Sequence, residues 1–261
     1  MRSEALTLIE KVEKEAWGDW RRMALLPAMQ QARARTALGA ITRLRSLRRA
    51  REEAWAIWSP VAQRLDLAMP PRPTNRMARF VRHVLRAKLP RPTRYLEIGT
   101  FEGATLALVF TLLKQRAQIT VIDPWLPYPE LADAKMASAE QRFAKNISAI
   151  GADRVLRVLK GRSIDHLPNL IDAGEVFDFI LVDGSHRALD VLADAALAWR
   201  LLAPGGLMVF DDYLYDVRHG DEVFRPKRAI DAFVSMVRRE LDILDVAGQV
   251  IVRRRLNSER R

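Results

Sequence analysis

The sequence predicts an α/β fold: a doubly wound, mostly parallel seven-stranded sheet with its last strand antiparallel, preceded by a helical extension. Three observations predict it. From Arg94 onward, short apolar runs alternate with helical stretches, the rhythm of a parallel sheet covered on both faces. The first run, RYLEIG, feeds a glycine-punctuated turn and then a helix. The last two runs, LDILDV and QVIVRRR, are separated only by Ala247 and Gly248, too short a connection for anything but an antiparallel pair.

Taken in order, residues 4–66 read as helical. Leu38, Ile41, Leu44 and Leu47 recur at helical spacing, with arginines on the remaining faces. Trp17, Trp20, Trp55 and Trp58 lie here and are expected to pack these helices together or onto the main domain. The prolines of MPPRPTNR (Met69 to Arg76) mark a linker. This divides the chain into a basic helical extension, 1–70, and a main domain, 71–261. A short helix from Arg76 to Ala87 leads into RYLEIG. The helix GATLALVFTLLKQ, the strand QITVID and a helix ended by Gly151 follow. Next come the strand RVLRVLKG, a brief helical segment and the strand FDFILVDG. The next helix has Leu189, Leu192, Ala196 and Trp199 on one expected face, and Pro204 with two glycines is expected to stop it. GLMVFDDY is the fifth strand, and the helix KRAIDAFVSMVRRE precedes the terminal pair.

Composition excludes several classes. The 261 residues include no cysteine, which rules out disulfides and thiolate chemistry. No apolar run approaches the roughly 18 residues needed to span a bilayer. Charges interrupt the N-terminus too often for a signal peptide, so a cytoplasmic location is expected. The net charge of +11 is uneven: residues 1–94 carry +13 and the rest −2. RLRSLRRAR, Arg43 to Arg51, is the densest part. Such a patch either meets an anionic partner or forms a solvated helix face.

In LEIGTFEG, Glu97, Gly99 and Gly103 form E-x-G-x-x-x-G. The dinucleotide fingerprint has glycine where Glu97 stands, and a carboxylate there repels pyrophosphate while attracting a cationic ligand. Gly99 and Gly103 allow close backbone approach to a ligand. Asp123 at the tip of QITVID is placed to accept ribose hydroxyls. Taken singly, Glu97 also reads as a strand-end residue satisfied by a neighbouring amide, and Asp123 as a helix cap. Taken together, they point to S-adenosylmethionine, which has an adenosine and two cationic groups but no phosphate.

The pieces LEIGTFEG, VIDPW, RFAKNISAIGADRVLRVLKGRS, FDFILVDGSH, LLAPGGLMVFDDY and KRAIDAF occur in this order. The chain from about Arg76 to Arg255 thereby resembles the class I S-adenosylmethionine-dependent methyltransferases. Within them it is most similar to metal-dependent small-molecule O-methyltransferases of the catechol, macrocin and novobiocin type. The resemblance implies a Rossmann-like methyltransferase fold. It implies that Gly99, Thr100, Phe101 and Gly103 line the methionine part of the cofactor, that Glu97 lies near its amino group, and that Asp123 binds the ribose. It places Ser163 at the adenine edge.

Asp183 ends the fourth strand, and Asp211 and Asp212 end the fifth. Neighbouring parallel strands lie about 4.8 Å apart, so their carboxyl ends can bring the three side chains together. Clustered carboxylates repel unless a cation sits among them, and hard oxygens suit Mg²⁺. The alternatives are that Asp183 faces only the cofactor, or that Asp211 or Asp212 caps the following turn. By resemblance, Asp183, Asp211 and Asp212 hold a divalent ion that activates the acceptor hydroxyl. His186 stands where the catechol-type enzymes have a lysine base, and imidazole is a competent base at neutral pH. His83 is expected on a helix surface and His166 in a loop. His219, Arg218 and Arg225, in the polar stretch after the fifth strand, are placed to border the acceptor pocket. The stretch PWLPYPELADAKM after the second strand reads as a lid or a plain surface loop.

The expected activity is O-methylation of a hydroxyl on a small molecule, a sugar or natural-product precursor. One alternative is methylation of RNA or another anionic macromolecule docked on the basic helices. Another is a non-catalytic cofactor-binding partner protein. A homo-oligomer is compatible with the sequence.

Overall fold

A computed structural model describes residues 37–68, 72–126, 138–215 and 223–256, with side chains from residue 46 onward. Trp17, Trp20, Arg218, His219 and most of the stretch after Trp125 lie outside the described residues.

Helix α1 (Ala37–Ala62) is followed by α2 (Asn75–Arg86), whose first turn is capped by the Thr74 hydroxyl accepting the Met77 N–H. The alternation then runs β1 (Thr93–Ile98), α3 (Ala104–Leu112), β2 (Ala117–Asp123), α4 (Ala139–Ile150), β3 (Leu156–Lys160) and α5 (Ser163–Asp172). It continues with β4 (Phe177–Val182), α6 (Ala188–Leu201), β5 (Leu202–Phe210), α7 (Pro226–Met236), β6 (Leu241–Val246) and β7 (Val250–Arg254). Gly151 ends α4 as expected, in the left-handed region at φ 71°.

The seven strands are ordered β3-β2-β1-β4-β5-β7-β6. The first five are parallel, and β7 inserts antiparallel between β5 and β6. The apolar runs form strands because both faces are covered. Leu96, Ile98, Ile180, Val182, Met208 and Phe210 face α5, α6 and α7. Tyr95, Val121, Phe179, Leu181 and Val209 face α1 to α4. Ala54 and Trp58 of α1 belong to this second core, so α1 packs with α2 and α3 in one body. The direction of strand addition reverses between β1 and β4. A crevice opens outside the carboxyl ends of strands at such a switch point.

Two expectations fail on local detail. The buried face of α6 is Val191, Ala195, Ala198 and Trp199, with Asp194 among them, while Leu189 is 80% exposed. A buried aspartate interrupts the apolar stripe and shifts its apparent phase. Pro204 also does not stop the helix. The strand β5 has already begun at Leu202, and its register against β4 slips so that Leu202 faces Phe177 and Leu207 faces Phe179. Pro204 and Gly205, the latter at φ 77°, sit in the irregular part of the strand.

Among the described residues, no helix is long and apolar enough to cross a membrane.

Candidate active site

The turn after β1 is held from inside the protein. Gly99 donates its N–H to the Ile122 carbonyl at 2.9 Å, and Gly103 to that of Thr100 at 2.7 Å. A Cβ on Gly99 would lie 2.1 Å from the Asp183 carbonyl oxygen, at a φ of +81°. A Cβ on Gly103 would lie 3.0 Å from the Phe143 ring, at a φ of +78°. Both glycines therefore have packing reasons of their own. The Gly99 contact presses the turn after β1 onto the start of the loop after β4.

Asp123 closes this turn. Its Oδ2 accepts the N–H groups of Thr100 and Phe101, each at 2.8 Å, and its Oδ1 accepts that of Trp125 at 2.7 Å. The Trp125 indole donates in turn to the Phe101 carbonyl and packs 5.2 Å from the Phe143 ring. Two of the amides that a phosphate would use are spent on a carboxylate, a second reason, beside Glu97, against a pyrophosphate ligand. Oδ1 retains capacity for a hydroxyl donor. Burial raises the Asp123 carboxyl above its usual range, opposed by the three amides.

Glu97 is 1% exposed and accepts a hydrogen bond from the Tyr95 hydroxyl. Burial pushes its carboxyl up to about 8, against the pull of that hydroxyl. The Thr100 hydroxyl lies nearby but outside hydrogen-bond geometry. Glu97 is thus a buried acid with few partners near the end of β1.

Asp183, Asp211 and Asp212 come together, with one oxygen of each within 4.8 Å of the others. The strands make this possible because both end just before them. Asp183 donates its N–H to Ile98 and Asp211 to Val182, while Asp212 takes φ 52° in the left-handed region. That sparsely populated conformation lets two successive residues aim inward where a continuing strand would alternate them. Burial raises the Asp183 carboxyl well above its usual range, and the charges of Asp211 and Asp212 add to this. Burial also raises Asp211, with Arg76 opposing.

The trio already holds a cation. Arg76, in the first turn of α2, donates from Nη1 to Asp211 Oδ1 at 2.7 Å and to Asp212 Oδ1 at 3.2 Å. Gln249 donates to Asp211 Oδ2 at 3.1 Å, and the Asp212 N–H donates to Asp211 Oδ1 at 2.6 Å. His186 Nε2 pairs with Asp212 Oδ2 at 3.0 Å. Its Nδ1 is buried without a partner, and its ring stacks on Tyr215 at 4.1 Å. In donor type and spacing the trio suits a hard divalent ion. As arranged it does not offer one a place, because Asp211 and Asp212 spend their oxygens on protein donors.

Other expected residues lie outside this cluster. The Ser163 hydroxyl lies near Asp194, whose carboxyl burial pushes up to about 7 against the pull of that hydroxyl. His166 lies in α5 with Nε2 3.1 Å from the Lys160 carbonyl oxygen, and so is not a loop residue. His83 is not on the surface: its side chain is 17% exposed and Nε2 lies 3.0 Å from Asp245 Oδ2. Arg79 donates to the other oxygen of Asp245. Burial alone would raise Asp245, but His83 and Arg79 outweigh it and hold this carboxyl below its usual range. Arg225 directly precedes α7.

Arg76, Gln249 and Glu102 carried no functional expectation. Glu102, 2% exposed, accepts the Ala68 N–H on both oxygens and an Arg142 guanidinium bond, and Asn146 bonds both Asp66 and the Glu102 carbonyl. These bonds fasten the segment after α1 to the glycine turn. The signal for Arg76 lay in TNRMARFVRH, where Arg76, Arg79 and His83 share one helical face.

Residues 96–213 match the family model of a methyltransferase domain. An O-methyltransferase of Aspergillus hancockii is 30% identical over 126 residues, covering 48% of this chain and 44% of that protein. A catechol O-methyltransferase of Niastella koreensis is 33% identical over 140 residues, covering 53% of this chain and 57% of that protein. The chain spans about half the length of the curated relatives it matches. Among solved structures, the O-methyltransferase TomG of Streptomyces achromogenes, in complex with SAM, aligns with a TM-score of 0.55 at 21% identity. That match covers 76% of this chain and 89% of TomG. An O-methyltransferase of Bacillus cereus in complex with SAH aligns with a TM-score of 0.52 at 17% identity, covering 79% and 91%. The sheet is the Rossmann-like sheet of these proteins.

Proposed function

We propose that this chain, which carries a methyltransferase domain on a Rossmann-like sheet, transfers a methyl group from S-adenosylmethionine to a hydroxyl of a small molecule. The observation that carries this reading is the contact of Gly99 with the backbone of Asp183 and Gly184. It joins a turn suited to a cationic, phosphate-free cofactor to a cluster of carboxylates and imidazole suited to an acceptor. When bound, the cofactor supplies an electrophilic methyl on its sulfonium. The chain's own residues do the rest. Gly99, Thr100, Phe101 and Gly103 border the methionine part, Glu97 faces its cationic groups, Asp123 Oδ1 takes a ribose hydroxyl, and Ser163 stands at the adenine edge. Asp212 fixes His186 through Nε2, which leaves Nδ1 to take the acceptor's proton. Holding hydroxyl and methyl at near-attack distance provides most of the acceleration.

A second reading adds Mg²⁺ at Asp183, Asp211 and Asp212. Their close oxygens favour it, and Arg76 opposes it. An anionic macromolecule as acceptor is less favoured. On α1, Arg48 and Arg49 are each paired with a glutamate four residues on, which weakens the positive field such a partner needs.

Calorimetric titration of the full chain with S-adenosylmethionine should show one site per chain, and no binding refutes the proposal. His186→Gln should keep that binding while lowering transfer to a hydroxylated acceptor about 10²- to 10⁴-fold. Unchanged transfer would remove His186 from the mechanism.

A further inference from the structure

We propose that Arg76 is the resident cation of the acceptor site, standing where the sequence resemblance implies a divalent metal, and that the site takes up no divalent ion while Arg76 is there. The proposal rests on reading the carboxylate cluster as the acceptor site.

Three observations carry it. The first is the hydrogen-bond inventory. Asp211 Oδ1 accepts from Arg76 and from the Asp212 amide, and Asp211 Oδ2 from Gln249. Asp212 Oδ1 accepts from Arg76, and Oδ2 faces His186. A small hard cation binds carboxylate oxygens at about 2.0–2.1 Å in near-octahedral order. It cannot reach the oxygens of Asp211 and Asp212 nearest Arg76 without displacing the guanidinium.

The second is that Arg76 is held from behind. It sits one residue into α2, whose start the Thr74 cap fixes. Arg79 and His83 on the same face of α2 share the two oxygens of Asp245 on β6. The third is that the Arg76 stem crosses Gly248 in the β6–β7 turn, where a Cβ would come within 3.4 Å of its Cδ. The Arg76 side chain is 47% exposed, so its position is set by these contacts at its stem and head rather than by burial. Guanidinium keeps its charge at any physiological pH, so the carboxylates have a permanent counter-ion.

The test uses the full chain and Mn²⁺ alone as probe, with free Mn²⁺ followed by electron paramagnetic resonance. Wild type should leave Mn²⁺ free. Arg76→Gln, which removes the charge but keeps an amide donor, should bind one Mn²⁺ per chain at least about tenfold more tightly than wild type. That binding should be lost again in Arg76→Gln combined with Asp212→Asn. If wild type binds one Mn²⁺ as tightly as Arg76→Gln, the guanidinium yields to metal and the proposal fails. If neither protein binds, the trio is no cation site of this kind and it fails as well. The wild-type measurement stands even if the variant does not fold. S-adenosylmethionine calorimetry on the same samples separates this outcome from that of the proposed function. Absent cofactor binding would sink the function and leave the Mn²⁺ comparison intact.

Discussion

Replacing Glu97 by glutamine should remove its share of two opposite pH dependences at once. Glu97 is buried, and its carboxyl is raised from 4.5 to about 8 in the folded chain. Between those values the folded state holds a proton that the unfolded state has lost, so stability falls as pH rises and levels off above about 8. At about 1.36 kcal/mol per unit, a shift of some 3.5 units amounts to about 5 kcal/mol, good to its order of magnitude. Asp183, Asp211, Asp123 and Asp194 are also raised and steepen the same fall. The difference between wild type and Glu97→Gln isolates the Glu97 share. Glutamine still accepts from Tyr95, so the variant should gain several kcal/mol on wild type between about pH 5 and about pH 8, measured by urea denaturation. Cofactor binding runs the other way. A cationic ligand favours ionised Glu97, so affinity should rise with pH by up to about tenfold per unit until about pH 8. At about pH 7 a group titrating near 8 is about nine-tenths protonated, so binding should release up to about 0.9 proton. Calorimetry in buffers of different ionisation enthalpy counts that proton. Equal proton release in wild type and Glu97→Gln would refute the assignment of Glu97 to the cationic part of the cofactor.

Asp245→Asn should lower stability by about 3–5 kcal/mol, since it leaves the buried Arg79 and its neighbour His83 without their shared carboxylate. Thermal denaturation checks this, and a loss below about 1 kcal/mol would mean that α2 is anchored by its apolar face alone. Gly99→Ala should abolish cofactor binding and lower the melting temperature. The left-handed backbone costs about 1–2 kcal/mol by itself, and a Cβ 2.1 Å from the Asp183 carbonyl oxygen forces the turn off β4. A variant that melts and binds like wild type would show that this contact does not set the turn.

The parts of the fold legible in the sequence are those where burial acts on a strand from both sides. LEI, ITVID and FDFILV are mostly apolar runs because helices cover both faces, so composition and turn residues alone locate β1, β2 and β4. The carboxylate trio was legible because strand ends are set by such runs, and residues one or two places beyond must gather at the same edge. What the sequence conceals is pairing across distance. Arg76, Arg79 and His83 look like any other members of a strongly basic N-terminal third. Their partners, Asp211, Asp212 and Asp245, lie more than 130 residues away in the chain. Asp194 had the opposite effect, making a buried helix face look mis-phased. Asp123 stands out in the sequence at a strand tip, but its occupation by the turn's own amides depends on a conformation no spacing encodes.

The distribution of these residues has a consequence for specificity. The match to the methyltransferase domain runs from 96 to 213, and it contains Glu97, Gly99, Asp123, Asp183, His186, Asp211 and Asp212. His186, which pairs with Asp212, lies inside it, but Arg76 and Gln249, which donate to Asp211, lie outside. Arg76 comes from α2, Gln249 from the turn between β6 and β7, and Asp245 from β6. The strand order makes this possible. Because β7 inserts beside β5, the β6–β7 turn lies against the end of β5, where the Tyr213 N–H donates to the Gly248 carbonyl at 3.0 Å. The terminal hairpin therefore lies beside the carboxylate cluster, with Gly248 under the Arg76 stem. The segment from 96 to 213 can hold cofactor and carboxylates in a common arrangement. On the proposed reading, the cation and the amide that meet the carboxylates come from two segments flanking that match.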